Sequence, residues 1–167
     1  MRYRIQIFEI IDCVFTCGIS TFLRHTGVRF NDYVVTSVFL PQNTSTWEQL
    51  KLFFWPYFLF TLLEYWLFGR RYNNFLYYKM IGLLLALGLY VGGYYIYTGI
   101  IGSSFTLITL SLFYFSIYIA AYNSSRLIRH NPTIKNYNYI GGLLFFLFLI
   151  LFTTFTFFPL PIHLFAA

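Results

Sequence analysis

Five long apolar runs, separated by less apolar connections, constrain the fold of this chain more than any other feature. A membrane-spanning helix needs about 20 predominantly apolar residues, and each run is close to that length. Hydrophobic residues make up 59% of the 167 residues and charged residues only 10%, whereas a soluble domain has about a quarter charged residues. The sequence therefore predicts an all-α, polytopic integral membrane bundle, a single transmembrane domain over residues 1–167. The predicted spans are residues 5–23, 46–68, 77–98, 105–122 and 139–158.

The long connection over residues 24–44 differs from the other loops. It contains a short apolar piece, Tyr33 to Leu40, which ends at Pro41 and is too short to span a bilayer. Backbone at membrane depth must be covered by protein or by water. We therefore expect either an interfacial or a re-entrant segment on the outer side, and the sequence leaves both open.

The distribution of basic residues predicts the orientation. Cytoplasmic segments of membrane proteins are enriched in Lys and Arg. With the N-terminus inside, the inner segments hold eight basic residues and the outer ones three. We therefore predict a cell-membrane protein with a cytoplasmic N-terminus and an outer C-terminus, and we interpret the net charge of +6 as a topology signal and not as a nucleic-acid surface. The inner residues are Arg2, Arg4, Arg70, Arg71, Lys79, Arg126, Arg129 and Lys135, and the outer ones are Arg24, Arg29 and Lys51.

The start of the second span carries several helix-start signals. Ser45 followed three residues later by Glu48 is typical of a capping box, in which each side chain satisfies a backbone N–H. Trp47 suits the headgroup level of a membrane. Lys51 lies three residues after Glu48, on the same helix face, and can pair with it. These residues fit a well-capped, well-anchored helix as well as a binding site.

Three stretches resemble a family of small bacterial multi-pass membrane proteins. Residues 43–51, NTSTWEQLK, resemble its N-x-S-x-W-E-x-x-K signature, with Gln49 where the family often has histidine. Residues 97–102 are similar to its Y-T-G-I-x-G turn, and residues 158–165 to its proline- and histidine-containing end. The family has no assigned activity, so the resemblance implies a multi-pass membrane protein and no catalytic residue.

A polar cluster is predicted at the outer face. In the predicted topology, the start of the second span and the ends of the third and fifth lie on the same side. A Glu, a Lys and a His in reach of one another could move protons or hold an anionic headgroup. Alternatively, each is a separate helix-end residue at a wet interface. The candidate outer-face binding residues are Asn43, Trp47, Glu48, Lys51, Tyr97 and His163, with Arg24 and His25 nearby.

A second polar group is predicted within the membrane. Glu9 and Asp12 recur at helical spacing in the first span, so they share a face that should look into the bundle. Glu64 lies near the end of the second span. These acids could pair with Arg70 and Arg71 or with Thr and Tyr hydroxyls as a structural network, or they could form a cation or proton relay.

Gly88 and Gly92 in the third predicted span have the G-x-x-x-G spacing. Small residues at this spacing let two membrane helices approach closely. We therefore expect a helix-packing seam at these two glycines, with no direct bearing on function.

Three function classes remain open. The absence of zinc-ligand spacing, of a phosphate loop and of a nucleophile elbow predicts no metal or cofactor, and leaves open whether the protein is an enzyme. For lack of a nucleophile we favour an accessory or binding protein that recognises a lipid or membrane partner through the outer-face cluster. The alternatives are an intramembrane enzyme acting on a lipid-linked substrate, and a small ion or solute carrier using Glu9, Asp12 and Glu64. The expected partners are membrane lipids, with a membrane protein or a second copy of the chain possible, and no nucleic acid.

Overall fold

The described part of the chain consists of five long helices, one short helix and a 3-10 turn. The computed structural model describes residues 2–27, 34–41, 43, 45–130, 136–159 and 164. No strand occurs among these residues, which agrees with the all-α prediction. The elements are α1 (Arg2–Gly27), α2 (Val34–Phe39), α3 (Thr46–Leu67), the 3-10 turn Gly69–Arg71, α4 (Phe75–Ile101), α5 (Thr106–His130) and α6 (Asn138–Phe157).

Each predicted span corresponds to one of the long helices, and the largest difference is at the end of α5. We predicted that this helix ends at residue 122 and that Arg126 and Arg129 follow in a loop, but the helix continues to His130. The reason is electrostatic, because basic side chains in a last turn complement the negative end of the helix dipole. No proline lies between Tyr122 and Pro132 to end the helix earlier.

The distribution of apolar surface is that of a protein in an apolar solvent. Four described helices, α1, α4, α5 and α6, are long and apolar enough to cross a membrane. The helix α3 is 22 residues long but is interrupted by Glu48, Lys51 and Glu64, and it buries more of its residues than any other described helix. Large apolar side chains face outward, with Trp66 75% and Leu107 81% exposed. Burying charge while exposing large hydrophobic residues reverses the pattern of soluble proteins.

The bundle is built around α3. The helix α1 packs against α3 and α5, α4 packs most extensively against α5, and α6 packs against α4. Aromatic rings on α3 fill the centre: Phe54 stacks on Phe152 of α6 with 4.7 Å between ring centroids, and Phe53 meets Phe113 of α5 edge to face at 6.2 Å. Such offset and edge-on ring pairs add to the stabilisation from area burial.

The predicted packing seam at Gly88 and Gly92 is wrong. A Cβ atom built at either glycine would meet nothing within 4 Å. The close approach of α4 to α5 is at Gly82, where a Cβ atom would lie 2.8 Å from the carbonyl oxygen of Ala120. The helix α6 makes a similar approach to the backbone of α4 at Gly141. The crossing point is set by how the two helices rotate against each other, which the G-x-x-x-G spacing does not encode.

This packing predicts opposite effects for two identical substitutions. Gly82→Ala should lower the free energy of unfolding by roughly 1–3 kcal/mol, because the new methyl group presses on a backbone carbonyl that cannot move alone. Gly88→Ala should be neutral or slightly stabilising, because alanine is the better helix former and its methyl group meets open space. Thermal unfolding of both variants in detergent tests this contrast, and equal losses would contradict it.

Candidate functional site

The long helices place two groups of polar residues at different positions in the bundle. Arg24, near the end of α1, donates a hydrogen bond to Gln49 in the first turns of α3. Near the start of α1, Phe8 packs on Phe68 with 4.7 Å between ring centroids. The helices α1 and α3 are therefore antiparallel. We call the end of the bundle with the start of α3 the Trp47 end, and the opposite end, with the 3-10 turn, the Arg70 end.

The Ser45 half of the predicted capping box at the start of α3 is confirmed. The Ser45 hydroxyl accepts a hydrogen bond from the backbone N–H of Glu48 at 3.4 Å. The backbone N–H of Ser45 donates to the side chain of Asn43 at 2.9 Å. The backbone N–H of Trp47 donates to the carbonyl oxygen of Leu164 at 3.0 Å, which ties a residue beyond α6 to the start of α3.

Lys51 links three helices at the Trp47 end. Its ammonium forms the predicted ion pair with Glu48 at 2.7 Å, and it is completely buried. It also lies within hydrogen-bond distance of the carbonyl oxygens of Ser37 at 2.8 Å and Leu40 at 3.4 Å, and of the Thr156 hydroxyl at 3.3 Å. An ammonium has three N–H donors, so these acceptors occupy all of them. Lys51 therefore joins α2, α3 and α6.

The described part of the chain shows no contact between the ion pair of Lys51 and Glu48 and the outer-face candidates Tyr97 and His163. The hydroxyl of Tyr97 forms a hydrogen bond with Thr109 of α5, and within the described part of the chain it forms none with Glu48 or Lys51. His163 lies outside the described residues. A binding role for the outer-face cluster stays a prediction, because the observed contacts at Asn43, Trp47, Glu48 and Lys51 are those of a capped and tethered helix start.

Replacing Lys51 should therefore cost more than removing the cap. Lys51→Met should lower the free energy of unfolding by about 3 kcal/mol, because it removes the ammonium that pairs with the buried Glu48 carboxylate and links α3 to α2 and α6. Ser45→Ala should lower it by about 1 kcal/mol, the usual cost of a lost cap. Arg71→Met, at an exposed position, is the control and should change it by less than about 0.5 kcal/mol. Denaturant unfolding in detergent measures all three, and a Lys51 variant as stable as the control would contradict the link.

The second polar group surrounds Lys79 in the interior, and we call Glu9, Asp12, Glu64 and Lys79 the Lys79 cage. The ammonium of Lys79 lies 2.8 Å from Asp12 Oδ2 and 3.0 Å from Glu9 Oε2, and it contacts Glu64 Oε2. Glu9 is 3% exposed and the other three are fully buried. The predicted inward face of α1 is thereby confirmed. One lysine joins carboxyl groups from α1 and α3 to α4.

Polar and aromatic groups complete the wall of the cage. Ser124 of α5 and Thr16 of α1 donate hydrogen bonds to Glu9 and Asp12 at 2.8 and 3.1 Å. The Lys79 ammonium lies 5.3 Å from the ring centroid of Tyr57, within range of a cation–π interaction. The Tyr57 hydroxyl also donates to the backbone carbonyl of Lys79 at 3.2 Å. The cage is therefore lined by four helices.

Of the two pairings considered for these acids, the one with a Thr hydroxyl occurs, between Thr16 and Asp12, and the one with Arg70 and Arg71 is wrong. Both arginines are exposed, and the Arg70 guanidinium lies 4.7 Å from the ring centroid of Trp66. A long basic side chain at a helix end can reach water, whereas a carboxyl group inside the bundle needs a partner inside it. We had counted Lys79 as a topology signal. The signal for its role was its position in the apolar sequence that follows Phe75.

The charges of the Lys79 cage do not balance. Three carboxylates and one ammonium give a formal charge of −2, and uncompensated buried charge is strongly destabilising. Within the described chain, Glu9 Oε1 and both oxygens of Glu64 have no hydrogen-bond partner, although Glu64 Oε2 is in ionic contact with Lys79. Both oxygens of Asp12 accept a hydrogen bond. No group of three His, Cys, Asp or Glu side chains among the described residues is arranged to hold a metal ion.

A groove between α1 and α5 leads to the cage. These helices are antiparallel, since Glu9 meets Ser124 and Thr21 meets Tyr114 through hydrogen bonds. The groove has a volume of about 580 Å³, and we call it the α1–α5 groove. Its charged and amide side chains are at the Arg70 end, together with Ile7, and its lining towards the Trp47 end is aliphatic and aromatic. Among the lining residues are Gln6, Glu9, Ser125 and Arg129 at the first and Ile10, Cys13, Val14, Tyr118 and Tyr122 further along.

The chain matches no family model, no curated protein and no solved structure. The resemblance to the bacterial membrane family therefore stays a prediction. The function has to be inferred from the geometry of the Lys79 cage and the α1–α5 groove.

Proposed function

We propose that the protein is a small membrane-embedded binding protein that holds an amphipathic lipid with an anionic headgroup in the α1–α5 groove. The observation that carries this proposal is the graded polarity of the groove. An arginine stands at one end and an apolar wall follows it, in the order in which a phospholipid presents its headgroup and its acyl chains.

The polar end has the chemistry for a phosphate group. Arg129 donates from Nε to the carbonyl oxygen of Ser125 at 3.1 Å, which fixes the direction of its side chain. Its two terminal nitrogens make no hydrogen bond to any described residue, and Gln6 lines the groove beside it. A guanidinium binds phosphate oxygens through paired hydrogen bonds, which are stronger than those between neutral groups.

The rest of the groove suits a hydrocarbon chain. Its lining from Gln6 to Val14 follows α1 for about 12 Å, at 1.5 Å per residue. Val14 is 67% exposed and Tyr118 53% exposed, so this wall opens to the outside of the bundle. An acyl chain could enter sideways from the membrane without passing through the aromatic core.

The orientation that we propose places Arg129 at the inner leaflet. Lys51 and Lys79 are buried and make no contribution to a surface charge bias. Without these two lysines, the inner segments hold seven basic residues instead of eight, and the outer segments hold two instead of three. A cytoplasmic N-terminus and an outer C-terminus in the cell membrane therefore remain favoured. The cytoplasmic leaflet carries the anionic lipids, which are the proposed ligands.

This proposal keeps the class of function expected from the sequence and moves the site. Lys51 was the expected lipid contact, but all its donors are used inside the bundle. Membrane lipids stay the proposed partners, and membership of the bacterial membrane family stays a proposal with them. The outer-face cluster is then a structural support at the Trp47 end.

Lipid retention by two arginine variants tests the proposal. Arg126 is exposed one turn before Arg129 on α5 and does not line the groove, so it is a matched control. We expect Arg129→Gln to weaken retention of phosphatidylglycerol by at least about tenfold, the effect of losing a charge-assisted hydrogen bond. Arg126→Gln should leave it unchanged. Native mass spectrometry with phosphatidylglycerol and with phosphatidylcholine of the same acyl chains measures both. Equal retention of the two lipids, or no loss in Arg129→Gln, would refute a headgroup site.

The two cysteines provide a test of the apolar part. Cys13 lines the groove, whereas Cys17, one turn further along α1 and also half-buried, does not. In a Cys17→Ser background, added phosphatidylglycerol should slow the reaction of Cys13 with a maleimide, because the acyl chain covers the thiol. In a Cys13→Ser background the reaction of Cys17 should be unchanged. Equal protection of both thiols would indicate a general detergent or lipid effect and no groove-bound chain.

A further inference from the structure

We propose that the Lys79 cage is a proton-binding site that holds two protons at neutral pH, one on Glu9 and one on Glu64, and exchanges protons with the α1–α5 groove through Glu9. This inference does not depend on lipid binding. It uses the groove only as the opening nearest to the cage.

The charge balance requires two positive charges beyond Lys79. No charged side chain outside the cage contacts these carboxyl groups within the described chain, and the other neighbours are hydroxyl and aromatic groups that stay neutral. Two protons bring three carboxyl groups and one ammonium to a net charge of zero. The groups that face one another are Glu9, Asp12 and Thr16 of α1, Tyr57 and Glu64 of α3, Phe75 and Lys79 of α4, and Ser124 of α5.

The hydrogen bonds assign the protons. Both oxygens of Asp12 accept a bond, one from Thr16 and one from Lys79, as an ionised carboxylate requires. Glu9 and Glu64 each bury an oxygen without a hydrogen-bond partner among the described residues. An unpartnered oxygen costs far less on a neutral carboxyl group than on a carboxylate. Asp12 is therefore the carboxylate that balances Lys79, and the two glutamates hold the protons.

A proton fits this site better than an inorganic cation. The Lys79 ammonium occupies the point where the oxygens of the three carboxyl groups converge, so a cation such as Na⁺ has no free centre to bind. Carboxyl groups that converge in this way share protons because they cannot all ionise. Protons attach to oxygens already present and need no additional volume.

The exchange step runs through Glu9. This residue belongs both to the cage and to the lining of the groove, whereas Asp12 and Glu64 are fully buried and do not line it. The O–H bond of the Glu9 carboxyl group breaks, and its proton passes to a water molecule or base in the groove. The carboxylate that remains keeps its contacts with Lys79 and Ser124. The reverse step returns the proton, and no other reactant is needed.

Infrared spectroscopy of the full chain in an ester-free detergent tests this assignment. The sequence has only five acidic residues, which keeps the spectrum simple. At neutral pH we expect a C=O stretching band of neutral carboxylic acids that shifts in D₂O, and we expect Glu9→Gln and Glu64→Gln each to remove part of it. Glu48→Gln, at the ion pair with Lys51, is the control and should remove none. Absence of the band, or a band that neither variant reduces, would overturn the proposal, and a band that D₂O leaves unshifted would overturn the exchange.

A charge-balance series gives a second, independent readout. Glutamine mimics a neutral carboxyl group, so the Glu9→Gln/Glu64→Gln double variant should keep the melting temperature of the wild type. Lys79→Met should lower it strongly, because Asp12 is left ionised and alone. Adding Asp12→Asn to Lys79→Met should restore much of the loss, since partners in one ion pair are not additive. The proposed protonation is wrong if the Lys79→Met/Asp12→Asn variant melts at a lower temperature than Lys79→Met alone. It is also wrong if the Glu9→Gln/Glu64→Gln variant does not fold.

Discussion

Burial of one ammonium group among three carboxyl groups is the interaction on which the arrangement of the bundle depends. Apolar contacts alone do not decide which helix faces meet in a membrane, because lipid chains are as apolar as the side chains that would replace them. Charged side chains are costly towards lipid, so they favour the arrangement in which they face one another. Lys79 draws the polar faces of α1 and α3 towards α4, and Ser124 adds α5 through its bond to Glu9. The exposed apolar side chains then face the surroundings by default.

The two buried lysines differ in the charge balance of their surroundings, and this difference distinguishes a structural ion pair from a candidate proton-binding site. Lys51 meets one carboxylate and enough carbonyl and hydroxyl oxygens among the described residues to use all three of its donors. Lys79 meets three carboxyl groups, and among the described residues Glu9 Oε1 and both oxygens of Glu64 have no hydrogen-bond partner, although Glu64 Oε2 is in ionic contact with the Lys79 ammonium. Burial and residue type are the same in both places. Only the excess of acid distinguishes the second one, and our proton-binding proposal is based on that excess.

The positions of the helices were predictable from the sequence, but which helices pack against each other was not. Apolar runs located the five long helices, helical spacing located the inward face of α1, and the Ser45–Glu48 spacing located the cap. The seam at Gly82 and the role of Lys79 were missed. Both depend on which helices become neighbours and how each rotates about its axis. Hydropathy and spacing describe one helix at a time and carry little information about either.

Glu9 connects the groove to the cage, and this position couples the two proposed ligands. An anionic headgroup at Arg129 lies at the same end of the groove as Glu9, and its negative charge opposes ionisation of that carboxyl group. A neutral Glu9 and a bound anionic lipid therefore favour each other. Such coupling is reciprocal, because a lipid that strengthens proton binding by some factor must itself bind more tightly by the same factor when the proton is present. If the lipid and the protons bind as proposed, one buried carboxyl group is sufficient to make lipid occupancy depend on proton occupancy, with no movement of the helices.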